Sequence, residues 1–387
     1  MTILDRRFAL LGGLAGLSAC ATQPGRGPNI IAPKIPLVPV RASKERLFDI
    51  TVCLRPFRAQ GPRLDTEMLG DTLVVHNYGH GGSGWSLSWG SATVVLEKAL
   101  SRGQKDIAVI GCGALGLTTA VQALRAGCSV TLYTKELAQQ TRSSRATGSW
   151  TPDSRISLRD PAGPQFGALW ERMARISWTT YRTYMGLPGA PVEFRDRYFL
   201  SDGPATPPPP HPPGMEFGQY MRTHTPDLMP RSVEIAPETT PFRVKNVRLG
   251  DNLQFNIASY AHTLMTEFYA MGGRLEIREF HEPSELTKLK QKVVINCTGY
   301  GARALWKDES LVPVRGQIAW LIPQASVNYG FMFAGVQILS RPDGIVVQDI
   351  SGGEMKGYND DREVVDRAEA ENALAKIEEL YSRKPTA

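Results

Sequence analysis

The chain has 387 residues, 42% of them apolar and 21% charged, the balance of an ordinary globular protein with length for two buried cores. Lys and Arg outnumber Asp and Glu by 44 to 38, and this net charge of +6 is spread without a basic block or interleaved aromatics, which excludes nucleic acid as the expected partner. The six histidines and five cysteines lack ligand spacing, so no metal site is expected, and Cys53, Cys112, Cys128 and Cys297 read as small buried side chains.

At the N-terminus, Asp5-Arg6-Arg7 leads into an apolar run, Phe8 to Leu17, too short to span a bilayer and shaped like an export signal. Leu17-Ser18-Ala19-Cys20 resembles a bacterial lipobox, and Arg6-Arg7-Phe8 resembles a twin-arginine signal for proteins exported already folded. The expectation is an exported lipoprotein on the periplasmic side of a bacterial envelope, touching the membrane only through a lipid on Cys20. Residues 1–20 are then signal, and the proline-containing residues 21–44 a tether.

Leu73-Val74-Val75 reads as a strand. The residues after it, His76 to Ala92, hold five glycines within twelve positions and enter a helix whose stripe is Trp85, Trp89, Ala92, Leu96 and Ala99. Strand, glycine turn and helix start form a nest of backbone amides, making Gly81, Gly82, Ser83, Gly84, Trp85 and Ser86 candidate contacts to an anion or a ring oxygen.

Asp106 to Ile110 is a second buried strand, entering Gly111-Cys112-Gly113-Ala114-Leu115-Gly116 and a helix with Leu117, Ala120, Val121 and Leu124 on one face. Gly127 ends that helix and Ser129 to Tyr133 is the next strand, completing a dinucleotide-binding unit. Gly111 allows the turn, Gly113 the approach of pyrophosphate, and Gly116 the packing of helix on strand. The acid that usually closes the second strand is missing: Lys135 takes its slot and Glu136 follows one place late. The ribose then falls to Lys135, to Arg142 or to serines such as Ser143, and the motif alone leaves NAD(P) and FAD open.

Farther on, the proline run at 204–213 is a stiff loop. Apolar runs between 186 and 250 read as a second region, followed by a helix near 256–271. Val293 to Gly299 returns to a buried strand and glycine turn, and 364–381 to an amphipathic helix with Leu374, Ile377 and Tyr381 on one face.

The segment His76 to Ala92 resembles, along its whole length, the signature of the D-amino-acid oxidase family. Val294-Ile295-Asn296-Cys297-Thr298-Gly299 with Pro313-Val314-Arg315-Gly316-Gln317, and Thr147-Gly148-Ser149-Trp150-Thr151-Pro152, resemble two further family segments that contact the flavin. The resemblance covers about residues 45–381 and implies FAD as the cofactor, with Thr147 and Gly148 beneath the ring. It implies an α/β fold: an FAD-binding Rossmann-like domain (45–185 and 251–318), a mixed β-sheet substrate domain (186–250 and 319–363), and a C-terminal helix and tail (364–387).

The implied activity is oxidative deamination of an amino acid, a D-amino acid first, to the 2-oxo acid, ammonia and hydrogen peroxide, with molecular oxygen as electron acceptor. The alternatives are a dehydrogenase or oxidase of an N-alkyl amino acid and a flavin-binding lipoprotein without turnover. Arg55, in Arg55-Pro56 before the glycine segment, matches the family arginine that grips the substrate carboxylate as a fork. Where a family tyrosine assists, this chain has Gln337, and Tyr329 is the candidate replacement from a shortened loop. His76 and His80 belong to the flavin segment and are expected in structural or flavin-contact roles. One feature departs: the glycine segment precedes Gly111 instead of closing the chain, so the order is expected to be circularly permuted, with its ends between the last helix and the strand near Phe48.

Overall fold

The computed structural model describes residues 35–203 and 210–383. The export signal, Cys20, the first part of the expected tether and most of the proline run lie outside them. Two sheets organise the described residues. The smaller takes Thr66–Leu69, Thr72–His76, Val293–Asn296, Asp106–Ile110, Ser129–Thr134 and Arg274–Ile277 in that spatial order. Its last five strands pair in parallel and only Thr66–Leu69 runs antiparallel, at one edge. Parallel strands need both faces covered, which is why Leu73–Val75, Ile107–Val109 and Val293–Ile295 are continuous apolar runs.

The helices Gly84–Ala99, Ala114–Arg125, Phe166–Arg182 and Ile257–Ala270 supply that cover on one face. Trp85, Leu87, Trp89 and Val95 are buried on the first of them beside Ser86, Ser88 and Ser91, so it is enclosed nearly all round. Inside this layer Trp89 Nε1 donates to Tyr260 Oη (2.7 Å), which satisfies two buried polar atoms at once.

The larger sheet runs Leu47–Phe57, Val312–Leu321, Gly344–Asp349, Val336–Arg341, Tyr329–Phe333, Val192–Ser201, Asn246–Phe255 and Val233–Ile235. It is mixed, since Tyr329–Phe333 pairs in parallel with Val192–Ser201 while the others are antiparallel. Leu47–Phe57 lies in this sheet and not with the dinucleotide unit, because it pairs antiparallel with Val312–Leu321 from Leu47 opposite Leu321 to Phe57 opposite Val312. The helix Arg367–Ser382 packs Leu374, Ile377 and Leu380 on this sheet.

Residues 35–44, expected as tether, are part of that core. Val40 and Ala42 are buried, the Pro39 carbonyl accepts from Gln324 Nε2 (2.9 Å), and Lys44 pairs with Glu371 (2.8 Å). The prolines leave the chain extended but alternate with apolar residues, which find a face to cover. Among the described residues no helix is long and apolar enough to cross a membrane.

Candidate active site

In the smaller sheet the chain leaves Asp106–Ile110 for Ser129–Thr134 on one flank, and Val293–Asn296 lies on the other. Ligands of open α/β sheets bind outside the carboxyl ends of strands at such a reversal. Two glycine turns meet there. Gly111 has φ +101°, and a Cβ on it would lie 2.6 Å from the Cys297 carbonyl oxygen, so only glycine lets the turns close. A Cβ at Gly116 would lie 1.7 Å from the Gly111 oxygen, and one at Gly113 2.8 Å from Ser143 Oγ. The Ala114 amide donates to Ser143 Oγ (3.1 Å) and the Leu117 amide to the Gly113 carbonyl (2.9 Å). Between them, the Leu115 and Gly116 amides stand at the positive end of the helix.

A groove extends from this point in both directions. One arm passes Thr134, Lys135 and Glu136 towards Arg278 and Phe280; the other passes Arg142, Ser143 and Thr147 to Gly81, Gly82, Gly84, Trp85 and Arg55. Its walls are held from outside. Trp85 Nε1 donates to the Ser143 carbonyl (2.8 Å), tying the first turn of its helix to the 142–145 turn. Arg341, buried against Trp320 and paired with Asp343, donates to the Ala146 carbonyl (2.8 Å) and so fixes the Thr147 segment.

His80 lines the same groove. Ser91 Oγ lies between its Nε2 (2.9 Å) and Asn77 Oδ1 (2.6 Å), while Asn77 Nδ2 donates to Thr119 Oγ1. Asn77 Oδ1 can only accept, so Ser91 gives it the hydroxyl proton and must accept from His80 Nε2–H. His80 Nδ1 is then a bare acceptor, buried without a protein partner. Burial alone pushes this imidazole down to about 3, so it is neutral.

A second cavity of about 590 Å³ adjoins the groove and shares Arg55, Gly82, Thr147 and Gly316 with it. Arg55 stands at the junction with its guanidinium against Gly316, where a Cβ would come within 2.3 Å of Nη2. It donates weakly to the Arg315 carbonyl (3.4 Å) and forms no ion pair among the described residues. The far wall carries Ser149, Arg155 and Gln337. Gln337 Oε1 accepts from Arg197 Nη2 (2.5 Å), and burial holds that arginine down to about 10, well below the usual range.

Residues 106–386 match the family described as FAD dependent oxidoreductase (DAO). The chain belongs to this family. Among its curated relatives are D-amino-acid oxidases of Dictyostelium discoideum (26% identical over 215 residues, 55% of this chain and 56% of the relative) and Streptomyces coelicolor (30% over 215 residues, 55% and 58%). The chain thus spans little more than half the length of these relatives. Solved structures with a similar fold include an L-amino acid deaminase from Proteus vulgaris (14% identity, TM-score 0.46, 72% of this chain and 74% of that one). A glycine oxidase from Geobacillus kaustophilus is another (12%, TM-score 0.41, 62% and 70%).

FAD is the cofactor of this oxidoreductase, and its groove fits that group. The glycines at 111, 113 and 116 leave space a side chain would fill, helix amides stand free for phosphate, and His80 Nδ1 awaits a donor. Gly111, Gly113, Ala114, Leu115, Arg142, Ser143, Thr147, Gly81, Gly82, Gly84 and Trp85 all line it. Gly116, Gly148, Ser83 and Ser86 stand behind the wall: Ser86 Oγ accepts from the Thr151 amide (2.8 Å) and Ser83 Oγ donates to the Ser154 carbonyl (3.0 Å). At the sugar end Lys135 and Glu136 both face the groove.

Tyr329 is not a site residue. It is 1% exposed within the larger sheet's core, its hydroxyl between the Val38 carbonyl (2.9 Å) and Tyr381 Oη (2.8 Å). Its strand turns that side chain to the C-terminal helix, away from the cavity. Arg155 and Arg197 went unnoticed in the sequence. Arg197 sits among alternating charges, Glu193, Arg195 and Asp196, that read as a solvated strand face, and Arg155 has no pattern at all.

Proposed function

We propose that the chain catalyses oxidative deamination of an amino acid, in the first instance a D-amino acid. What carries the reading is Arg55, an arginine without a carboxylate partner among the described residues, at the junction of the flavin groove and a second cavity. FAD, when bound, supplies the acceptor for the two electrons and the hydrogen that leave the substrate Cα. Arg55 holds the α-carboxylate by two parallel N–H donors, which sets the face presented to the groove. Gly316 gives the guanidinium room to lie flat. The step asks for a neutral amine and alignment, and no protein base is needed. The imino acid then adds water to give the 2-oxo acid and ammonia, and molecular oxygen takes the electrons to give hydrogen peroxide. The D configuration draws its support from the two curated relatives.

Anaerobic bleaching of the flavin absorbance by a panel of D-, L- and N-methyl amino acids tests the reading, with peroxide release separating oxygen from another acceptor. D-amino acids are expected to bleach it, and Arg55→Ala to bind FAD yet bleach at least about 100-fold more slowly, since two charged hydrogen bonds are lost. An Arg55→Ala enzyme reduced as fast as the parent would sink the assignment.

Two further readings belong to the same proposal. In the first, the segment order is permuted: the family match opens at residue 106, yet the residues before it lend one strand to the larger sheet and two to the smaller. Lys44 beside Glu371 brings the two ends of the fold together. A gene carrying 106–383, a linker of about eight residues to return along the roughly 18 Å of helix after Glu371, and then 45–105 should yield an FAD-binding protein. In the second, the chain is exported and lipidated on Cys20; Cys20→Ser should abolish labelling by a radioactive fatty acid.

A further inference from the structure

We infer that the substrate of this site is an amino acid with a second carboxylate on its side chain, received by Arg155. The inference rests on the reading of Arg55 as the grip on the α-carboxylate and extends it to the rest of the cavity. Arg155 is a second guanidinium lining the same cavity. Its Nε and Nη2 donate to the backbone carbonyls of Glu354 (2.6 Å) and Gly353 (2.7 Å), neutral acceptors that fix its plane, so that its charge is offset only in part, by the Glu354 carboxylate near it. It forms no ion pair among the described residues. The nearby Glu354 carboxylate turns instead to Gln219 Nε2 (3.3 Å) and His211 Nε2 (3.9 Å).

The acids on the cavity wall are already engaged. Asp349 meets Lys356 (3.2 Å), Asp360 meets Arg362 (2.7 Å), Glu369 meets Lys356 (3.0 Å) and Asp366 caps the helix at the Glu369 amide (3.0 Å). Among the described residues that line the cavity, Arg55 and Arg155 are the two cations without an ion pair. Arg155 also feels its neighbour: burial first and then the charge of Arg55 hold its guanidinium down to about 10, against a smaller opposing pull from Glu354. Two like charges facing a partly buried cavity repel at low effective dielectric, and a ligand with one carboxylate for each relieves both.

The backbone shows how firmly Arg155 is placed. It is left-handed at φ +49°, which non-glycine residues seldom adopt, and its carbonyl oxygen is where a Cβ on Gly81 would come within 1.9 Å. The Ser154 carbonyl accepts from the Gly82 amide (2.9 Å) and Ser83 Oγ (3.0 Å). The residue is thus bolted to the flavin-facing segment at one end and to the 353–354 turn at the other. An arginine serving solubility needs none of this. Arg197, behind Gln337, adds a third positive charge to the same wall.

The test uses the FAD-loaded enzyme and pairs that match in shape and differ in one charge: aspartate with asparagine, glutamate with glutamine, in whichever enantiomer reduces the flavin. The diacid should be preferred in kcat/KM by about 100-fold, the worth of a bidentate charged contact, and Arg155→Met should reduce that ratio to below about 10, with Arg155→Lys restoring part of it. A readout without turnover is the shift of the flavin absorption band on titration with succinate or glutarate, whose dissociation constants should rise about 100-fold in Arg155→Met while that of butyrate rises far less. If the parent enzyme treats diacid and amide alike, or Arg155→Met leaves the ratio unaltered, Arg155 is not a carboxylate site, although Arg55 and amine oxidation stand. If no amino acid reduces the flavin but succinate still binds through Arg155, the oxidation reading falls and the dianion site stands. Weak succinate binding that Arg155→Met does not alter overturns the site itself.

Discussion

Gly81→Ala should destabilise the FAD-free protein by about 2–5 kcal/mol, a large effect for one methyl group. The native φ of +54° is left-handed, which for an alanine is unfavourable by about 1–2 kcal/mol. The new Cβ would also sit 1.9 Å from the Arg155 oxygen, so one of the two backbones must retreat by at least 1.1 Å to reach the 3.0 Å that real Cβ contacts respect. Forced backbone shifts of this kind cost about 1–3 kcal/mol more. Gly84→Ala, three residues on in the same segment, is the control: it opens a helix and meets nothing within 4 Å, so the expected change lies between zero and a gain of about 1 kcal/mol. Guanidinium unfolding of the deflavinated proteins, read as a midpoint shift at constant slope, compares them. Gly81→Ala unfolding within about 0.5 kcal/mol of the parent would refute the close approach of the 81–83 and 154–155 segments.

Tyr329→Phe should lose about 1–2 kcal/mol of stability, since it removes a buried hydroxyl with its hydrogen bonds to the Val38 carbonyl and Tyr381 Oη, while kcat/KM stays at the parent value because the residue stands outside the cavity. Acid should weaken the fold through His80. Burial lowers its imidazole from 6.5 to about 3, so the unfolded chain binds a proton that the folded chain refuses in that window. The contribution is whole above pH 6.5 and falls by up to about 1.4 kcal/mol per pH unit towards pH 3; His80→Gln should flatten this slope in unfolding measured from pH 7 down to pH 4. Cys112 and Cys297 are pushed up to about 12, burial being the main cause, so neither should react with a thiol reagent at pH 8 until the chain is unfolded. Arg142→Ala removes an exposed ion pair with Glu363 and should alter stability by less than about 1 kcal/mol, so a drop in FAD affinity would report its contact with the cofactor.

Periodicity and glycine spacing expose those parts of this molecule that depend on neighbours in the chain. The strand–glycine–helix unit at 106–134 is legible because each glycine answers a steric demand within that unit, such as Gly116 against the Gly111 oxygen. The flavin segment is legible for the same reason. What escapes is whatever long-range pairing decides. Leu47–Phe57 precedes the glycine segment and so looks like part of the dinucleotide unit, but its partner is Val312–Leu321 in the other sheet. Tyr329 lies near a candidate lid in sequence, yet the side of the strand it occupies is chosen by pairing with Val192–Ser201. Arg155 earns its place through a backbone contact with Gly81, more than seventy residues earlier, which no local pattern records. The cofactor was therefore readable and the substrate end of the cavity was not.

The parallel pairing of Thr72–His76 with Val293–Asn296 bears on how the protein is made. Leu73 to Val75 leave the ribosome roughly 10–40 s before their partners at the usual 5–20 residues per second, and Leu47–Phe57 waits equally long for Val312–Leu321. Each sheet stays incomplete until late in synthesis. Both apolar strands and the glycine segment between them stay open to solvent until three-quarters of the polypeptide has been synthesised, with loop-closure entropy still opposing them. Closure of either sheet is therefore a late event, and the growing chain is a client for a holding chaperone until those partner strands emerge. A chaperone that binds residues 47–76 would control when the flavin groove first exists.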